Sequence, residues 1–174
     1  MEAYMALSQE SRLGGAVAER LVALWEQWLP LLRVYEVRGE KISWLAVWLP
    51  ESVETQVDGY WAASPSEGWL VNTLAQFMCM SAVQELLPEV EVARCAPSPR
   101  PTRILRDALA RLQLPYKENA AAPSRRYAVI THYPYRGGCG ICQLQSNCPK
   151  GQGKGENLSV LLPGYEKNSP PVGR

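Results

Sequence analysis

Residues 42–49, ISWLAVWL, constrain this chain more than any other stretch. A strand with one wet face alternates polar and apolar side chains, whereas this one is apolar on both faces. It predicts a central strand covered on both sides. The run before it, 31–37, LLRVYEV, is rich in β-branched and aromatic residues, and RGEK between the two carries Gly39. That pairing predicts a β-hairpin.

Three stretches read as helices that cover it. In residues 12–29, Val17, Leu21, Leu24 and Trp28 share one face, and Pro30 ends the helix. In residues 64–87, Ser64 suits the N-cap, Pro65 the first turn and Glu67 the third position, which together make a capping box. Leu70, Leu74, Phe77, Met78 and Ala82 follow at helical spacing, and Pro88 stops the run. Residues 102–113 carry Ile104, Leu105, Ala108, Leu109 and Leu112 on one side, with Arg103, Arg106 and Arg111 towards solvent.

The connecting segments read differently. Residues 50–63 are mostly polar, contain Asp58-Gly59 and predict a loop. Residues 90–95, VEVARC, predict a short strand. APSPRP, 96–101, predicts a turn without regular structure. Residues 118–124 read as a linker, and RRYAVITHY, 125–133, as a strand. The order α, β, β, α, β, α, β predicts an α+β fold: a small mixed sheet with three packed helices and a C-terminal cysteine-rich loop. Residues 1–133 are expected to form one domain, 134–162 a metal- or cluster-binding loop packed on it, and 163–174 a flexible tail.

No stretch reaches the roughly 18 uninterrupted apolar residues of a membrane span. MEAYMALSQE has an acid at position 2 and no apolar run, so no secretory leader is expected and a cytoplasmic location is. In a reducing compartment close-set cysteines are metal ligands or redox groups more often than disulfides, and the odd total of five fits no closed disulfide framework. The net charge of +1 points to neither nucleic acid nor an acidic partner for the chain as a whole. All six tryptophans precede residue 70. They serve either core and rim packing or a flat aromatic surface for a partner or planar ligand.

Three of the cysteines, Cys139, Cys142 and Cys148, stand in HYPYRGGCGICQLQSNCPKG with C-x2-C-x5-C spacing. Two cysteines separated by two residues can bite one centre, because a turn aims both sulfurs inward. Gly137, Gly138 and Gly140 let the backbone bend tightly and bring amides close to sulfur. Structural zinc usually takes two close pairs, and here the second half is a single cysteine. Iron–sulfur clusters accept irregular spacings with one remote ligand, so the expected cofactor is an iron–sulfur cluster, with zinc as the alternative. The fourth ligand is Cys95, His132 or, less readily, Cys79; an open fourth position is the remaining choice.

The loop resembles the iron–sulfur cluster loop of the endonuclease III and adenine-glycosylase family, whose pattern is C-x6-C-x2-C-x5-C. Seven residues before Cys139, where that family has its first cysteine, this chain has His132. With a remote first cysteine, the same trio also looks like the cluster-bearing nucleases of the exonuclease V type. Both resemblances imply a [4Fe–4S] cluster. They cover residues 132–148 alone. No helix–hairpin–helix glycine pattern, glycosylase lysine–aspartate pair or nuclease acidic centre accompanies them, and the EVRGEK at 36–41 falls in the hairpin turn. The resemblance therefore implies a cofactor and no particular activity.

From Asn119 to Gly155 the chain has no acidic residue, while Arg125, Arg126, Arg136, Lys150 and Lys154 lie there. Cations near a thiolate-bound cluster stabilise it and raise its potential; the same residues would form a basic face for an acidic partner. KGQGKGE, 150–156, lacks the spacing of a phosphate loop. With one histidine and no nucleophile-elbow pattern, no catalytic set assembles. The expectation is a cluster-binding protein with a redox, electron-transfer, sensing or assembly role, working with an acidic redox protein or a larger redox complex. The alternatives are a nucleic-acid-binding module with a structural cluster or zinc, and a non-catalytic interaction domain docking through its tryptophan-rich half.

Overall fold

The computed structural model describes residues 4–5, 14–93, 95–117 and 122–148, and its architecture is α+β. Helix α1 spans Gly15–Trp28, followed by the hairpin β1 (Arg33–Arg38) and β2 (Ser43–Trp48). Then come α2 (Glu51–Ala63), α3 (Pro65–Leu86), α4 (Pro88–Ala93), α5 (Arg103–Arg111) and β3 (Ala128–Tyr133). The strands form a three-stranded sheet of order β1-β2-β3, antiparallel at both junctions. The sheet is therefore not mixed, and among the described residues five helices pack on it rather than three.

β2 is the central strand that ISWLAVWL requires. Leu45, Val47 and Leu49 enter one core with Trp28, Val53, Val57, Leu74, Met78 and Tyr127. Trp44, Ala46 and Trp48 enter a second core with Val37, Leu105, Leu109, Leu114 and Ile130. So α1 to α4 cover one face and α5 the other. Each fully buried Leu, Val or Met contributes about 1.5–3 kcal/mol relative to exposure, which makes this double cover the main stabilising arrangement.

Two connections differ from expectation. The polar stretch 50–63 is the helix α2: Val53 and Val57, one turn apart, are fully buried, and Glu51 and Glu54 sit in its first turn, where the helix dipole favours acids. Those gains outweigh Gly59 in its interior, which costs about 1 kcal/mol against alanine. The stretch 90–95 does not form a strand. Pro88 suits the first turn of a helix, and α4 starts on it with Leu87 and Val90 buried. VEVA alternates like a strand, but the proline restart wins. Residues 96–101 are irregular, as their prolines demand.

The start of α3 shows half of the expected capping box. Ser64 Oγ accepts from the Glu67 amide at 3.5 Å, but the Glu67 carboxylate pairs with Arg20 of α1. Thr102 caps α5 in the same way, accepting from the Leu105 amide at 3.4 Å. Ile104, placed on the apolar face of that helix, is instead exposed. Of the tryptophans, Trp28, Trp44 and Trp48 are buried, while Trp61 and Trp69 remain 38% and 45% exposed. No described helix is long and apolar enough to cross a membrane. The start of the first helix at residue 12 and the tail 163–174 fall outside the described residues.

Candidate functional site

The cysteine loop leaves the end of β3 and runs along the proline-rich segment 96–101. Two interactions fix that segment. Thr131, fully buried on β3, donates from Oγ1 to the Pro97 carbonyl at 3.0 Å. Gln143, between the second and third cysteines of the loop, donates its amide to the Ser98 carbonyl at 2.9 Å and its Nε2 to Ser98 Oγ at 2.8 Å. Residues 97 and 98 are thus held from the sheet on one side and from the loop on the other.

Within the loop, Cys139–Ile141 and Gln145–Asn147 form two short 3-10 turns. The Cys142 amide donates to the Cys139 carbonyl at 3.1 Å, and the Cys148 amide to the Gln145 carbonyl at 3.3 Å. Gly138, just before the first cysteine, has φ +96°, a region that favours glycine. Cys139, Cys142 and Cys148 are all partly buried thiols, and Ile141 and Leu144 beside them are exposed. Among the described residues, no three His, Cys, Asp or Glu side chains are gathered where they could hold one metal ion. The spacing places the three thiols on consecutive turns of one anchored loop, and their sulfurs do not converge here.

His132 stands at the same end of the sheet. It pairs in register with Trp44, so its ring lies on the α5 side. Both ring nitrogens are buried and neither has a hydrogen-bond partner. Burial, with the nearby Arg136 guanidinium adding to it, pushes its pKa below the ordinary histidine value. The ring borders a cleft of about 340 Å³ together with Ile42, Trp44, Arg100, Thr102, Gly140 and Cys142. The sequence gives no sign that Trp44 and Arg100 border the same cleft as Cys142: the β2–β3 register sets Trp44 beside His132, and Arg100 belongs to the proline-rich segment that Thr131 and Gln143 hold.

The remaining cysteines separate clearly. Cys95 follows the helix α4 rather than ending a strand, is partly buried, and does not line the cleft of His132 and Cys142. Cys79 lies inside α3, where its thiol donates to the Tyr127 carbonyl at 3.5 Å. Burial pushes its pKa up to about 12, so it is a packed thiol in the core.

Two of the five cations expected to form a basic surface have acidic partners. Arg126 binds Asp58 at 2.6 and 3.1 Å, and its amide donates to Glu54 at 2.8 Å. Arg125 pairs with Glu51 at 3.0 Å. These acids belong to α2, so the two arginines tie the chain before β3 to that helix. Arg136 is exposed, and Lys150 and Lys154 fall outside the described residues.

No protein-family model, curated protein or solved structure matches this chain.

Proposed function

We propose that the anchored loop is the mount of an iron–sulfur centre, of [4Fe–4S] type, bound through Cys139, Cys142, Cys148 and one further ligand, Cys95 or His132. The observation that carries this reading is the contrast among the thiols: Cys79 is packed in the core, while the loop trio is partly exposed on glycine-rich turns tied down at Ser98. The donor set fits the group in kind, since thiolates with one imidazole or thiolate hold such clusters. The described positions do not yet gather it, so binding requires the loop to draw its sulfurs inward.

When bound, the cluster would supply one-electron chemistry. The chain's own part is to hold the thiolates, shade them with Ile141 and Leu144, and place the Arg136 charge nearby. The absence of acids in the loop region suits both a negatively charged centre and docking to an acidic redox protein or a larger redox complex. A redox, electron-transfer, sensing or assembly role follows in a reducing, cytoplasmic setting.

A second reading has one specific observation behind it. With His132 as a ligand the set becomes Cys3His, which structural zinc also accepts. A nucleic-acid module built on such a site is the less favoured form, because Arg125 and Arg126 are already paired with acids.

The test is anaerobic purification with iron and acid-labile sulfide analysis. Broad visible absorption with iron and sulfide in equal amounts, lost when Cys139, Cys142 and Cys148 are all changed to Ser, is the expected result. A colourless protein without iron would overturn the proposal.

A further inference from the structure

We propose that β1 pairs with the β1 of a second copy of this chain, antiparallel about a two-fold axis at Val37, with Glu36 of each copy opposite Arg38 of the other. The cysteine loop takes no part in this contact. Among the described residues β1 has a strand on one side only, since the sheet order is β1-β2-β3. Such an edge carries a row of N–H and C=O groups ready to pair with another chain. Val34 and Tyr35 on it are exposed, and a cleft of about 560 Å³ opens between β1 and the Ala108, Arg111 and Leu112 side of α5.

The backbone restricts how a second copy can join. The Gly39 amide donates to the Ile42 carbonyl at 2.9 Å, in step with the β1–β2 register. Hydrogen-bonded positions alternate along an antiparallel strand, so Arg33, Tyr35 and Val37 turn their backbone groups to β2. Those of Val34, Glu36 and Arg38 point away from the sheet. A new ladder must therefore set members of this second group opposite one another.

Charge then selects the register. Glu36 facing Glu36, or Arg38 facing Arg38, sets like charges opposite each other, which is destabilising. Val34 facing Val34 or Glu36 leaves the charges unmatched. Glu36 facing Arg38 matches them twice. Within one copy Arg38 already binds Glu36 at 3.1 and 3.2 Å on the same face of the strand. The second copy adds that pair in reverse order, so four charges alternate in sign around the axis. The same register lays the exposed Tyr35 ring beside Gly39 of the other copy, where no side chain competes for the space. Two three-stranded sheets thereby become one of order β3-β2-β1-β1-β2-β3, with the cysteine loops at its two far ends.

The experiment is sedimentation equilibrium of the full chain over a range of concentrations, with circular dichroism to show that each variant is folded. Wild type should give twice the mass of one chain. Glu36→Arg and Arg38→Glu each set like charges opposite one another and should lose the dimer. An equimolar mixture of the two variants, or both changes in one chain, should restore it. A wild type that stays monomeric, a dimer indifferent to both changes, or a mixture that stays monomeric would overturn the proposal.

Discussion

Gln143 grips Ser98 at two points, backbone to backbone at 2.9 Å and side chain to side chain at 2.8 Å. This pair is what joins the cysteine loop to the proline-rich segment, and through Thr131 and Pro97 to the sheet. Changing Gln143 to Ala removes the side-chain half and should weaken the docking of the loop by about 0.5–1.5 kcal/mol. Amides of residues 139–148 should exchange faster with deuterated solvent, while those of β2 keep their protection. Unchanged exchange in the loop would show that the anchor lies elsewhere.

Gly68, in the first turns of α3, lies against Trp61 of α2. A Cβ there would stand 2.7 Å from the Trp61 Cα, which is backbone and cannot swing aside. Helix propensity alone favours Gly68→Ala by about 0.8–1 kcal/mol. The clash should win, costing about 1–3 kcal/mol for overpacking and lowering Tm by about 2–4 °C for each kcal/mol lost. A calorimetric Tm at or above wild type would contradict this contact.

The two classes of thiol should separate chemically. Cys79, with its pKa pushed up to about 12 by burial, stays protonated and enclosed at pH 8. The apo protein should label quickly with iodoacetamide at Cys139, Cys142 and Cys148, and at Cys79 only after denaturation. Peptide mapping after a short pulse reads this directly. Native labelling of Cys79 at the loop rate would contradict its place in the core.

Asp58 is held below its ordinary value of 3.8 by its hydrogen bond and ion pair with Arg126. A depressed acid contributes stability that is present above the unfolded value and lost as pH falls through the folded one. Asp58→Asn should therefore be less stable than wild type at pH 7, with the gap closing as pH falls below 3.8. Urea unfolding at a series of pH values measures it. A gap that stays constant down to pH 2 would remove the pair from the account.

The sequence was most legible where one pattern dominated. The two-sided apolar run at 42–49 required a doubly covered β2, and Ser64-Pro65 marked the start of α3. It misled where local pattern competed with packing. Asp58-Gly59 looks like a turn, yet Val53 and Val57 one turn apart are buried and hold the helix. VEVA alternates, yet Pro88 restarts a helix. The cysteine trio stands out by its spacing, but the described residues do not gather its thiols around one point. The clamp from Gln143 to Ser98 and the cleft that His132 and Cys142 both border were not legible, since both bring together residues distant in sequence. Nor could the sequence show that Arg125 and Arg126 were already matched by α2, a helix it read as loop.

The most direct test of the central claim is native mass spectrometry of the full chain, purified without oxygen. The account predicts a species heavier than the apo chain by one cluster of four iron and four sulfide, absent in Cys142→Ser. The apo mass alone, or a mass increased by a single zinc, would contradict it.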